Sequence, residues 1–223
     1  MQIVTDFYPP FSYEENGEIK GISTRILKAA LKEAGVKATI KQYPFKRAYT
    51  MTRKKKNIFQ YSVVKTPERE PDFKWIGIVG PAEQVLFSLK NKNIKIDKFE
   101  NLKHYTIGTV FEDVVDQFLF SKMNSFDLQL ERIASYELNM RKLMKDRFDL
   151  WGGNKLVGYQ LVKEIGFNEN DIKVAYAMNE LTDYYYLVTG LQTSDDLVKK
   201  LSTSFETIHN NGTYQNIINA YFK

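Results

Sequence analysis

A chain of 223 residues with 43% hydrophobic content is long enough for one large or two medium domains with real cores, which excludes a disordered protein. It has no cysteine, which excludes disulfides, cysteine nucleophiles and thiolate metal sites, and its two histidines, His104 and His209, lie too far apart for metal spacing. A formal charge of +5 is a modest basic excess, and no apolar run approaches the roughly 18 residues of a membrane helix.

Gln2 to Asp6 predicts a strand that breaks at the aromatic turn Tyr8-Pro9-Pro10-Phe11, ahead of a polar turn at Glu15-Asn16-Gly17. Met1 leads straight into that strand, so an exported form is expected to have already lost its targeting segment. The first helix should be capped by Ser23 or Thr24. Its apolar stripe is Ile26, Leu27, Ala30, Leu31 and Ala34, and Gly35 sits where a left-handed residue ends it. Ala38 to Tyr43 is the next strand, Phe45 to Lys56 a second helix and Ile58 to Val64 a third strand. The βαβαβ order predicts a parallel sheet. The basic run Arg53 to Lys56 closes the second helix, where it complements the helix dipole, and nucleic acid is not an expected partner.

The third strand turns at Thr66-Pro67, where proline fixes φ and holds the preceding residue out of the helical region. Arg69 therefore stands just beyond the carboxyl end of a strand. Ligands bind there in open α/β sheets, and a guanidinium offers a planar fork matched to a carboxylate. The alternative is a solvated turn residue paired with Glu68 or Glu70.

Phe73 to Val79 and Val85 to Lys90 read as strands interrupted by Gly80-Pro81, and the charged stretch Asn91 to Lys98 reads as a surface excursion. A second α/β set begins at His104. It comprises strand Tyr105 to Gly108, helix Asp113 to Met123, strand Leu128 to Ile133, and a helix carrying Tyr136, Met140, Leu143 and Met144. Strand Phe148 to Trp151, helix Leu156 to Glu164 and strand Ile172 to Ala177 complete it. Tyr184 to Thr189 is a last strand. Ser194 is the expected cap of a helix with Leu197, Leu201, Phe205 and Ile208 on one face, and Gly212 separates it from a final helix opened by Thr213.

Nucleotide hydrolysis, serine-elbow and zinc-hydrolase chemistry each have a sequence signature, and GxxxxGK[ST], GxGxxG, GxSxG and HExxH are all absent. The adjacent acids Glu112 and Asp113 follow a strand at a helix start, where capping competes with acid/base work. What remains is recognition chemistry. Tyr8, Phe11, Phe45, Tyr61, Phe111 and Trp151 fall at strand ends or turns, as aromatic walls of a small-molecule cleft do, although each is also a plausible core residue.

Four pieces taken in order carry a resemblance over essentially residues 1–223. They are Tyr8-Pro9-Pro10-Phe11-Ser12-Tyr13, Glu18-Ile19-Lys20-Gly21-Ile22, Thr66-Pro67-Glu68-Arg69 and Arg147-Phe148-Asp149-Leu150. In these the chain resembles the bacterial extracellular solute-binding proteins of family 3, the amino-acid-binding type of ABC transporters. The resemblance implies a two-lobe α/β fold of the periplasmic-binding-protein class II type, each lobe a mostly parallel sheet flanked by helices. The first lobe would hold residues 1–82 and 183–223 and the second 83–182, with two crossover strands as hinge. It implies a monomeric, periplasmic or extracellular membrane-associated receptor, without cofactor or catalysis, that closes on a carboxylate-bearing solute and delivers it to a membrane permease.

By that resemblance Arg69 clamps the solute carboxylate, Tyr8 is an aromatic wall, and Tyr61 and Ser62 meet the solute through backbone. Thr109, Phe111 and Asp113 belong to the loop and helix start whose amides complete carboxylate binding. Tyr43 to Ala48 resembles a subgroup motif that would bring Phe45 and Arg47 toward the solute. Where relatives that bind α-amino acids carry an acidic residue for the ammonium, this chain has Asn154, an amide that cannot compensate a desolvated charge. Asp113 or Asp183 could serve an amine instead. The rival readings are a sensor domain of a signalling system and a dehydratase-like enzyme with Glu112 as its acid.

Overall fold

The computed structural model describes residues 1–181 and 183–221. The chain divides into two compact units, Met1–Ala82 with Asp183–Lys223, and Glu83–Thr182.

The first unit opens with β1 (Gln2–Thr5), the hairpin β2 (Tyr13–Glu15) and β3 (Glu18–Lys20), and helix α1 (Ile22–Glu33). It continues through β4 (Thr39–Gln42), α2 (Phe45–Lys54), β5 (Ile58–Val64) and β6 (Phe73–Ala82). The second unit holds β7 (Gln84–Leu89), β8 (Thr106–Val110), α3 (Val114–Phe126), β9 (Gln129–Ile133), α4 (Tyr136–Met144), β10 (Leu150–Asn154), α5 (Lys155–Glu164) and β11 (Ile172–Ala177). The chain then returns to the first unit with β12 (Asp183–Gly190), α6 (Asp195–Asn210) and α7 (Thr213–Asn219).

Helix α1 forms on the stripe that periodicity indicates, burying Ile22, Ile26, Leu27, Ala30 and Leu31. Its start differs from the expectation. Gly21, not Ser23 or Thr24, stands at the N-cap, at φ 118 and with no side-chain cap. The helix instead docks on the aromatic turn: the amides of Ile22 and Ser23 donate to the carbonyls of Pro10 at 2.9 Å and Phe11 at 3.1 Å. Only glycine permits that approach, because a Cβ at position 21 would lie 2.3 Å from the Phe11 carbonyl oxygen.

The α/β reading holds: the three strands of the βαβαβ order pair in parallel as expected, and each sheet as a whole is mixed. The first runs β4-β1-β5-β12-β6, with β4, β1 and β5 parallel and β12 antiparallel to both β5 and β6. The second runs β11-β7-β10-β8-β9, with β10, β8 and β9 parallel and β7 antiparallel to both β10 and β11. The antiparallel pairs all involve β12 in the first sheet and β7 in the second, strands next to the two points where the chain passes between the units, and periodicity says nothing of that. Helix α2 ends at Lys54, two residues before the predicted end, with Lys55 already extended. Strand β6 continues through Gly80-Pro81 to Ala82, which its position at the edge of the sheet allows. The stretch Asn91 to Lys98 is anchored, because Ile94 and Ile96 are buried.

Among the described residues no helix is long and apolar enough to cross a membrane, and no group of three or more acidic or histidine side chains is placed to hold a metal ion.

Candidate functional site

Strands β1, β4 and β5 run parallel, so their carboxyl ends share one edge of the first unit's sheet. Tyr8, Phe45 and Arg69 lie in the three segments that leave that edge. Sheet topology alone thus gathers residues far apart in the sequence.

Arg69 follows a tight turn in which its amide donates to the Thr66 carbonyl at 3.1 Å. The side chain is 1% exposed, which rules out a solvated turn residue. Its Nη1 donates to the Val64 carbonyl at 3.3 Å, and its guanidinium carbon lies 5.5 Å from the ring centre of Phe45 and 5.3 Å from that of Tyr49. Glu70 pairs with Lys65 at 2.6 Å. Phe45 and Tyr49 stand one turn apart on α2 and are buried with Val63, Phe73 and Val188, so the rings beside the cation are themselves held by the core.

The end of β5 is irregular. Val188 faces Gln60 and Tyr186 faces Val63, so Tyr61 and Ser62 together stand opposite Leu187 in a β-bulge. Ser62 adopts φ 64 there, a left-handed conformation uncommon outside glycine. The Tyr61 side chain turns to α1, where its hydroxyl lies 2.8 Å from that of Thr24, and burial pushes the phenol pKa well up. What Tyr61 offers at the strand end is therefore its backbone. Tyr8 stacks on Phe11 with ring centres 5.9 Å apart and shares a 2.8 Å hydrogen bond with the Tyr185 hydroxyl. Arg47 lies on the exposed side of α2, its guanidinium 4.5 Å from the ring centre of Tyr43.

In the second unit β8 and β10 are parallel, with Trp151 opposite Gly108, so Asn154 and the Val110 to Asp113 loop leave the same edge of that sheet. The loop is built around a buried carboxylate. Asp116 accepts the Thr109 hydroxyl at 2.7 Å and the Glu112 amide at 2.8 Å, and is gripped by Arg132, Nε to Oδ1 at 2.8 Å and Nη2 to Oδ2 at 2.6 Å. The Arg132 guanidinium carbon in turn lies 4.5 Å from the ring centre of Phe111 and 4.0 Å from that of Phe120. Glu112 takes φ 65, and Asp113 caps α3 by accepting the Val114 amide at 2.6 Å. Asn154 caps α5: its side-chain oxygen accepts the amides of Leu156 at 2.9 Å and Val157 at 3.3 Å.

Each unit thus carries its own half of the expected residues. The first sets Arg69 against Phe45 and Tyr49, and the second sets Thr109 and Phe111 against the Asp116 and Arg132 pair, with Asp113 capping α3 beside them. Sequence reasoning missed Tyr49, Asp116, Arg132 and Tyr185. Tyr49 was open to it, one turn after Phe45 on a predicted helix. Arg132 was not, because its place opposite Thr109 depends on β8 and β9 pairing in register. A flat buried cation between rings and an ordered set of amides at a helix start are both suited to an anionic, planar group.

A family model for bacterial extracellular solute-binding proteins, family 3, matches residues 1–223. An Escherichia coli K12 protein described as a putative ABC transporter arginine-binding protein 2 is 23% identical over 223 residues, covering 97% of this chain and 87% of that protein. Among solved structures, an ancestral arginine-binding protein bound to arginine superposes with a TM-score of 0.85 at 20% identity, covering 100% of this chain and 97% of that one. A histidine kinase sensor domain similar to periplasmic binding proteins reaches 0.86 at 12% identity, covering 99% and 94%. At those identities the two structural likenesses establish the fold.

Proposed function

The chain belongs to the bacterial extracellular solute-binding proteins of family 3 and is a solute-binding receptor, and we propose that it takes a small carboxylate-bearing solute, an amino acid or a related compound, for an ABC-type importer. The observation that carries this reading is the Arg69 guanidinium, 1% exposed and set against Phe45 and Tyr49 at the carboxyl edge of a parallel strand. Charge-assisted, bidentate hydrogen bonds from such a fork to a carboxylate are strong and geometrically selective. The amides at the start of α3, ordered by Asp116, support the same preference for an anion. The curated relative described as an ABC transporter protein supports the transport role and with it a periplasmic or membrane-associated extracellular location.

Binding rather than turnover is the reading for Asp113, whose carboxylate is engaged in capping α3 by accepting the Val114 amide. The Asn154 side-chain oxygen is engaged by two helix amides, so an ammonium group gains no charged partner there.

The test is a thermal-shift screen of the purified protein against amino acids, dicarboxylates and small peptides at millimolar concentration, followed by calorimetry on each hit. A ligand at about a hundred times its dissociation constant adds roughly 2.7 kcal/mol and moves the melting temperature by several degrees. Hits confined to carboxylate-bearing solutes, recovered chemically unchanged, are the expected result. Stabilisation only by solutes without a carboxylate would overturn the reading.

A further inference from the structure

Gln60 is 0% exposed, and neither its Oε1 nor its Nε2 has a hydrogen-bond partner among the described residues. Two residues on, at the bulge, the buried Ser62 hydroxyl also lacks one. A buried amide with neither end satisfied is costly, and natural chains keep such a group where something other than the fold requires it.

The position of Gln60 follows from register. Its partner on β1 is Val4 and its partner on β12 is Val188. Val4 packs with Ala48 and Ile58, and Val188 with Phe45, Tyr49 and Val63, so both neighbours face α2 and Gln60 faces it too. Gln60 therefore stands at the seam of two apolar clusters, and one of these contains the two rings that hold the Arg69 guanidinium. Enclosure does not disqualify a solute contact, since Arg69 is itself 1% exposed.

Building on the proposed function, we infer that Gln60 is a specificity residue that reads the far end of the solute while Arg69 holds its carboxylate. One donor and one acceptor on a neutral amide are matched by a group that presents the complementary pair without charge. The solute class is thus a carboxylate with a neutral amide or ureido tail, in preference to a guanidinium, ammonium or second carboxylate tail, each of which would be left without a counter-charge. A structural water held by Gln60 is the competing role.

Calorimetry on wild type, Gln60→Met and Gln60→Glu separates these, with glutamine, asparagine and citrulline set against arginine, lysine and glutamate. Wild type is expected to prefer the amide and ureido compounds. Gln60→Met should lose at least about tenfold in affinity for them while its melting temperature is unchanged or raised, since an unsatisfied amide has been replaced by an apolar chain of similar length. Gln60→Glu, similar in shape and charged, should move the rank order toward arginine and lysine. Equal affinities and rank order in all three proteins would overturn the inference and leave Gln60 as a water-binding residue. That outcome with tight carboxylate binding in wild type leaves the proposed function standing, whereas absence of any carboxylate ligand in wild type removes both.

Discussion

Arg132 grips Asp116 with two parallel hydrogen bonds, at 2.8 and 2.6 Å, from the end of the strand paired with β8. Asp116 is fully buried, and it also holds the Thr109 hydroxyl and the Glu112 amide, so a single carboxylate fixes both sides of the Val110 to Asp113 loop. That carboxylate is in turn the largest reason the Arg132 pKa is raised above its ordinary value.

Asp116→Ala is expected to destabilise the second unit by about 3 kcal/mol, because it leaves a half-buried guanidinium and a backbone amide unpaired. The two tryptophans divide between the units, Trp75 in the first and Trp151 in the second. Urea denaturation followed by Trp151 fluorescence in a Trp75→Phe background therefore reads the second unit alone. An unchanged midpoint would show that the loop does not depend on the pair.

Arg69→Ala should weaken binding of a carboxylate-bearing solute by about 2 to 5 kcal/mol with far-ultraviolet circular dichroism unchanged. Arg69→Lys should recover only part of the loss, since lysine keeps the charge but not the planar fork. Calorimetry with any hit from the thermal-shift screen measures both, and full affinity in the alanine variant would remove the proposed carboxylate clamp.

Asn154 caps α5 through its side-chain oxygen. Asn154→Ala is expected to cost about 1 kcal/mol, and Asn154→Ser, which restores an acceptor, only a few tenths. Equal losses in chemical denaturation would show that Asn154 contributes something other than the cap.

His209 stacks on Tyr214, ring centres 4.0 Å apart, and burial lowers its pKa below the ordinary 6.5. As pH falls, the unfolded chain therefore takes up the proton first. The stability this residue contributes is complete above about pH 6.5, declines below it, and stops declining under the depressed folded pKa. The melting temperature of wild type should drop between about pH 7.5 and pH 5.5 by more than that of His209→Phe. Parallel curves for the two proteins would place the effect elsewhere.

Most elements were legible in the sequence because their signals are local. The β5 bounds Ile58–Val64 follow from a strand-forming run that ends ahead of the Thr66-Pro67 turn, and the apolar stripe of α1 follows from side-chain period. The α1 start was not, because the helix begins at Ile22, ahead of both expected caps, where the amides of Ile22 and Ser23 are satisfied by the carbonyls of a turn. Arg69 was legible from its place after a strand and a proline, but Tyr49 as its second ring, and the Asp116 and Arg132 pair, depend on which elements become neighbours. Gln60 reads as an ordinary strand residue in the sequence. Only the register with Val4 and Val188 makes it a buried polar group.

Strand β12 lies between β5 and β6 and pairs with both, although the whole of the second unit separates it from them in the chain. During synthesis the second unit has therefore fully emerged from the ribosome while the first sheet still lacks an interior strand. The inserted unit, contiguous from Glu83 to Thr182, is the one that can fold as it is made. The unit that carries Arg69 and Gln60 waits for β12 to emerge and join its two edges, so it is completed only after the insert that interrupts it.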